Sequence, residues 1–193
     1  VVSVVLIVLF GLIMIYSSSY IWAEYKFQDA FHYVKNQAIF AIIGFLLMHL
    51  MSKIDYHWYK EKSNMILGIA IILLILVLIP GIGSVRNGAR SWFGIGPLGI
   101  QPSEAAKLAL IIFTSKYLEN SNKFIKNIKT GVLPILAILF LIFGLIMLQP
   151  DFGTGMIIVV SILAMMLVAG VNWKFFLCLG GIGVVGITAL IVQ

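Results

Sequence analysis

The sequence predicts an all-α fold, a polytopic bundle of transmembrane helices, from its composition and from the placement of its charges. Of the 193 residues, 62% are hydrophobic and 10% are charged, whereas a soluble domain is about half apolar and a quarter charged. Charged residues are absent at 1–16, 38–48, 65–85, 132–150, 152–171 and 175–193. About 18 apolar residues suffice to cross the hydrocarbon layer, and these runs lack the polar face of a soluble helix.

We predict seven spans in one transmembrane domain covering 1–193. Because lipid offers no water to unpaired backbone groups, each apolar span is expected to be a helix. The chain starts at Val1 rather than Met and stops at Gln193, in or just after an apolar run, so we expect the N-terminal part of a longer protein. The spans lie at roughly 1–21, 36–51, 64–80, 102–118, 131–149, 153–171 and 174–193.

The distribution of lysine and arginine predicts the orientation of these spans. Loops on one side carry eight basic residues and loops on the other carry four, and the richer side of a membrane protein faces the cytoplasm. The N-terminus is therefore expected inside, and the net charge of +6 is attributed to this rule rather than to nucleic-acid binding. The first group is Lys53, Lys60, Lys62, Lys116, Lys123, Lys126, Lys129 and Lys174; the second is Lys26, Lys35, Arg86 and Arg90.

Several soluble chemistries are excluded by the same reading. A single cysteine, Cys178, allows neither an internal disulfide nor a Cys-based zinc site. The G-x-G-x-x-G pattern at 94–99 lies in a loop between two membrane spans, where a nucleotide site would need a strand and a βαβ unit. No metal ligands are assigned, because His32, His49 and His57 are scattered near span ends.

A first polar set, from Gln101 to Lys107, begins the fourth span. Pro102 suits the first helical position, Glu104 favours the helix N-terminus, and Lys107 shares a face with Glu104. Charged residues at membrane depth suggest function by default. Two interpretations stay open: a capped helix start with an internal ion pair, or a Glu–Lys pair facing a polar cavity that opens outward.

A second polar set, at 149–155, begins the sixth span with the same pattern of a Gln-Pro pair followed by an acidic residue. Gln149 and Pro150 precede Asp151, a first-turn carboxylate, and Gly153 and Gly155 would allow close helix packing. Spans four and six both begin at the outer face, so their N-termini and acids should converge there. Capping alone is the alternative.

A third set lies in the outer loop at 86–92. Arg86 and Arg90 are on the side that normally lacks basic charge, and arginine matches phosphate bidentately. Asn87 and Gly88 indicate a tight turn that could present both arginines; snorkelling to lipid headgroups is the alternative. Helix N-termini and arginines favour an anion, and the acids could hold a divalent metal against a phosphate, so a lipid phosphate is the inferred ligand.

At these motifs the chain resembles the SEDS family (shape, elongation, division and sporulation), which includes FtsW, RodA and SpoVE. The resemblance covers the whole chain, which corresponds to about the first seven of the family's ten helices. The amino-acid sequence at 85–92 is more similar to that of FtsW or SpoVE than to that of RodA. The matching stretches are 11–19, 85–92, 100–108 and 149–155.

The resemblance implies a peptidoglycan glycosyltransferase that polymerises lipid II, an undecaprenyl diphosphate-linked disaccharide-pentapeptide, at the outer face of the bacterial cytoplasmic membrane. It also implies a divalent cation (Mg or Mn), a class B penicillin-binding protein transpeptidase and divisome or sporulation proteins as partners. Arg90, Glu104, Lys107 and Asp151 match family positions that act in activity or in shaping the cavity. The predicted substrate-binding or cavity residues are Arg86, Asn87, Arg90, Trp92, Gln101, Glu104, Lys107, Gln149 and Asp151.

The family's expected general base is an aspartate in a large outer loop after the seventh helix, beyond Gln193. Asp151 is therefore not that residue, the catalytic residue of this chain is unknown, and we expect the 193 residues to be inactive alone. Two other functions stay open, a lipid II flippase and a membrane scaffold that recruits a class B penicillin-binding protein. Acids at the outer mouth rather than in mid-membrane favour chemistry at one face.

Overall fold

The computed structural model describes residues 2–86, 88–94, 99–120 and 127–177, and within them the all-α prediction is confirmed. A hairpin of two short strands, β1 (Ser84–Arg86) and β2 (Ala89–Trp92), interrupts the helices, and a π-helical turn (Ile128–Val132) precedes the fifth. The helices are α1 (Val2–Phe27), α2 (His32–Met51), α3 (Tyr56–Leu78), α4 (Pro102–Asn120), α5 (Leu133–Met147) and α6 (Phe152–Val168).

Among the residues that the structure describes, four helical segments are long and apolar enough to cross a membrane: Val2–Phe27, His32–Met51, Tyr56–Leu78 and Lys129–Met147. The apolar α6 is shorter, at 17 residues. Four charged side chains lie along α4, so composition alone does not mark this helix as a span although it forms at the predicted position. The predicted seventh span lies mostly outside the described residues, which end at 177.

Two helices extend well beyond their predicted ends. α1 continues to Phe27 rather than to about 21, and α3 begins at Tyr56 rather than at about 64. The predicted ends stopped where charges appear, near Glu24 and Lys62. Glutamate and lysine are strong helix formers, so each helix continues past its apolar segment.

The chain divides into two compact units, 1–56 and 57–193. In the first unit, α1 packs against α2 across the loop 28–31, with Tyr16 stacked on Phe31 at 4.8 Å between ring centroids. Asp29 orders the loop: it accepts hydrogen bonds from the Phe31 amide at 3.0 Å and from the Lys35 ammonium at 2.8 Å. The first unit therefore forms a helical hairpin with an ion-paired connection.

The second unit packs α3, α4, α5 and α6 around an aliphatic core. α3 and α4 run antiparallel, because Lys60 near the start of α3 lies 2.7 Å from Glu119 near the end of α4. The Tyr117 hydroxyl donates to the Thr130 carbonyl at 2.6 Å and ties the end of α4 to the turn before α5. The buried core includes Leu74, Leu110, Ile135, Leu139, Ile142, Ile146, Ile158 and Ile162.

This antiparallel order brings one set of ends together. The end of α3, the β-hairpin, the start of α4, the end of α5 and the start of α6 share one side of the second unit, here called the hairpin end. Gln149, just after α5, reaches the Leu74 carbonyl in α3 across this end. All three polar sets singled out in the sequence lie there.

Candidate functional site

The start of α4 has the predicted proline at its first position and the predicted ion pair. Pro102 is the first helical residue, where its missing N–H leaves no hydrogen bond unmade. Lys107 Nζ lies 2.7 Å from Glu104 Oε2, and the exposed fractions of the two side chains are 22% and 55%. An ion pair this open adds at most about 1 kcal/mol to stability, so its chemical interest lies in the cation it holds at the surface.

The start of α6 is joined directly to the start of α4. Asp151 is the N-cap of α6, and its Oδ1 accepts a hydrogen bond from the Thr154 amide at 3.2 Å. Its Oδ2 accepts one from Gln101 Nε2 at 2.8 Å. The two Gln-Pro segments, 50 residues apart in the chain, therefore converge as their alternating direction predicted.

Gln149 and Ser103 lie on the same segments but are fully buried. Gln149 Nε2 donates a long hydrogen bond of 3.4 Å to the Leu74 carbonyl. Its Oε1 and the Ser103 hydroxyl have no partner within the described part of the chain, and water ordinarily serves such buried atoms. Gln149 thus faces α3 rather than an open surface, and its predicted contact with a ligand stays a prediction.

The loop between α3 and α4 contains a β-hairpin that the sequence did not predict. Arg86 pairs with Ala89 across a two-residue turn, and Gly88 has φ +84°, a value that glycine adopts without steric cost. Asn87, the other turn residue, lies outside the described residues. Strands of three and four residues are too short to give an alternating pattern, which is why hydropathy did not reveal them.

The hairpin is attached to the helices on both of its sides. Phe93 and Ile100 exchange two backbone hydrogen bonds of 2.8 Å, which lead the chain from β2 towards α4. On the other side Gly83 packs so closely on the end of α3 that an added Cβ would overlap the Val77 carbonyl oxygen. The arginines between these attachments therefore sit on an anchored support.

The two arginines of the hairpin have different surroundings. The Arg86 guanidinium lies 4.7 Å from the Trp92 ring centroid, a cation–π distance. It also fills the space beside Gly99, where an added Cβ would come within 2.6 Å of a guanidinium nitrogen. Arg90 is partly exposed and forms no ion pair with any residue that the structure describes. Arg86 is thus packed between Trp92 and Gly99, and both arginines remain partly exposed.

A divalent cation would find few protein ligands at this end. No three His, Cys, Asp or Glu side chains come together in the described ranges. Both Asp151 oxygens accept hydrogen bonds, and one Glu104 oxygen faces Lys107. Magnesium in phosphoryl sites takes one or two carboxylates plus phosphate oxygens and water, so Glu104 would be its available protein ligand here.

Comparison with known sequences places these features in context. The model of the FtsW, RodA and SpoVE family, described as a cell cycle protein, matches residues 1–193. The chain is 44% identical over 193 residues to Stage V sporulation protein E of Bacillus subtilis, covering 100% of this chain and 53% of that protein. It is 35% identical over 190 residues to a probable peptidoglycan glycosyltransferase FtsW of Saccharophagus degradans, covering 98% and 49%. The chain spans about half the length of these curated relatives.

Two solved structures share the fold. Rod shape determining protein RodA of Thermus thermophilus superposes with a TM-score of 0.69 at 28% identity, over 95% of this chain and 58% of that one. A structure reported for the coordination of polymerization and crosslinking by a peptidoglycan synthase complex has a TM-score of 0.70 at 28% identity, over 95% and 52%. These likenesses confirm the predicted multi-span helical fold and the family resemblance.

Proposed function

The chain belongs to the FtsW, RodA and SpoVE family of cell cycle proteins, and we propose that it is part of a peptidoglycan glycosyltransferase that polymerises lipid II during division or sporulation. Sequence relatives are named probable peptidoglycan glycosyltransferases. The observation that carries the proposal is the joined pair of helix starts at the hairpin end, next to a partly exposed Lys107.

This end of the unit suits the diphosphate of a lipid-linked sugar donor. Helix N-termini carry partial positive charge and attract phosphate. We assign Arg90 and Lys107 to the diphosphate, Glu104 to orienting Lys107, and Arg86 with Trp92 to supporting the hairpin. Cations held near a leaving diphosphate stabilise the charge that develops on it as the glycosidic bond breaks.

Further parts of the proposal concern the whole protein. We place its general base in an outer loop that follows these residues in the family. We place the protein itself in the bacterial cytoplasmic membrane, with its N-terminus in the cytoplasm. A divalent cation, Mg or Mn, would be held by Glu104 together with diphosphate oxygens. The proposed partners are a class B penicillin-binding protein, in line with the peptidoglycan synthase complex among the structural neighbours, and divisome or sporulation proteins.

The test is polymer formation by the full-length parent protein, purified with its transpeptidase partner and supplied with lipid II and Mg or Mn. Lys107→Ala is expected to lower polymer yield at least tenfold, because it removes a cation from the diphosphate site. Lys60→Ala is the matched control, since Lys60 forms an equally short ion pair with Glu119 at the opposite end of the bundle. The 193 residues alone should form no polymer.

Two outcomes would count against the proposal. One is a folded parent complex that makes no polymer from lipid II, and the other is Lys107→Ala with full activity. Lipid II that crosses proteoliposome membranes without polymerising would favour the flippase instead. A protein that only recruits the transpeptidase would do neither.

A further inference from the structure

A side-chain pair, Gln101 and Asp151, ties the two helix starts of the hairpin end together. Gln101 Nε2 donates to Asp151 Oδ2 at 2.8 Å, and both side chains are partly buried. The other oxygen of Asp151 accepts the Thr154 amide at 3.2 Å and caps α6. One carboxylate therefore fixes the first turn of its own helix and also holds the residue that precedes α4.

The chemistry of the pair makes it directional. A carboxylate only accepts hydrogen bonds, so the glutamine must present its amide N–H groups to Asp151. A hydrogen bond to an ionised acceptor is roughly twice as strong as one between neutral groups. The tie is thus stronger than an ordinary contact between two helix starts.

The tie also reaches the proposed diphosphate site. The Gln101 carbonyl accepts the Glu104 amide at 3.1 Å, and Glu104 in turn holds Lys107 at 2.7 Å. A displacement of Gln101 would therefore move the turn that carries both charged groups. Misplacement of a reacting group by about 1 Å can cost on the order of a hundredfold in rate.

We propose that Asp151 is a positioning residue, which holds Gln101 and through it the Glu104–Lys107 turn, and that it does not itself bind substrate or cation. The inference rests on the proposed function for its activity readout. The tie between α4 and α6 does not depend on the proposed function, because it is inferred from the hydrogen bonds of Asp151.

An exchange of the two groups tests this. Gln101→Glu alone places two carboxylates face to face, so we expect polymerisation by the full-length complex to fall at least tenfold and the unfolding temperature to drop. In the double variant Gln101→Glu with Asp151→Asn, the new amide donates to the new carboxylate while its oxygen still caps α6. Polymerisation should then return to within about threefold of the unaltered protein, and the unfolding temperature should recover.

A direct role for the carboxylate gives a different result. If Asp151 contacts substrate or cation, the double variant recovers its unfolding temperature but stays at least tenfold impaired, and the proposal is overturned. A shift in the half-saturating Mg concentration for the double variant, in which the tie is restored, would overturn it as well. If the unfolding temperature of the double variant is no higher than that of Gln101→Glu alone, the tie does not exist.

Failure of the proposed function is distinguishable from failure of the tie. Should the unaltered parent complex form no polymer, the glycosyltransferase proposal fails. The order of unfolding temperatures among the four proteins would then still support or refute the tie. Thermal unfolding is therefore measured for every variant, independently of activity.

Discussion

Replacing Gly155 by alanine should loosen the packing of α5 against α6. A Cβ added at Gly155 would lie 2.7 Å from Met147 Cε and 3.1 and 3.2 Å from two ring carbons of Phe143. Favourable carbon–carbon contacts are about 3.5–4.0 Å, so the neighbours must move. Gly153, two residues earlier, has no atom of the described residues within 4 Å of the same added atom. Of the two glycines predicted to allow close packing, Gly155 is therefore the one that packs closely against described neighbours.

The magnitude follows from comparing these two positions. Overpacking a tight contact costs about 1–3 kcal/mol, and the flexible Met147 side chain places the cost nearer the lower end. Alanine in a helix gains about 0.5–1 kcal/mol over glycine, and both variants receive this gain. The difference between Gly155→Ala and Gly153→Ala therefore isolates the overpacking, at about 1–3 kcal/mol.

The assay is thermal unfolding of the detergent-purified protein and its two alanine variants. For chains of this size, 1 kcal/mol shifts the unfolding temperature by about 2–4 °C, so Gly155→Ala should unfold on the order of 2–12 °C below Gly153→Ala. Shortening the nearest neighbour by Met147→Ala should reduce the cost of Gly155→Ala, since the two sites share a contact. Equal unfolding temperatures for the two glycine variants would refute the packing argument.

Three further outcomes follow from individual side chains. Gln149→Leu should leave stability unchanged or raise it by about 1 kcal/mol in thermal unfolding, because the buried amide oxygen has no partner among the described residues; a large loss would contradict this. The Lys35 side-chain hydrogen bond, followed by a backbone amide, lowers the pKa of Asp29, so their ion pair is complete above the ordinary value of about 3.9 and is lost as pH falls through the lowered one. An NMR titration should show the Asp29 pKa rising in Lys35→Ala. Lys60→Ala should destabilise by less than about 1 kcal/mol, as a double-mutant cycle with Glu119 would show, because the pair is solvent-exposed.

Most of the helical architecture could be predicted from local patterns. Uncharged runs placed α2, α5 and α6 within a few residues of their observed bounds, because a span is defined by residues adjacent in the chain. The ends of α1 and α3 could not be predicted from hydropathy, since a helix continues into polar sequence as long as its backbone bonds are satisfied. The hairpin at 84–92 was missed because its strands are too short to show a period.

Some features of the candidate site could likewise be predicted from local spacing, and others depend on the folded structure. The Glu104–Lys107 pair follows from a spacing of three on one helix, and it is present at 2.7 Å. The separate environments of Arg86 and Arg90 do not follow from spacing, because they depend on Trp92 and Gly99 reaching the same guanidinium. The chain pattern marks both arginines as unusual, and the folded hairpin distinguishes them.

The helical segments, the proline that starts α4, the Asp151 cap of α6 and membership of the family could thus be predicted from neighbouring residues and short motifs. The direct bond between Gln101 and Asp151, the close approach at Gly155 and the burial of Gln149 depend on how helices distant in the chain pack. Local patterns report the propensity of a segment and the solvent it needs, whereas contacts across 50 residues depend on the volumes and distances that all the packed helices share.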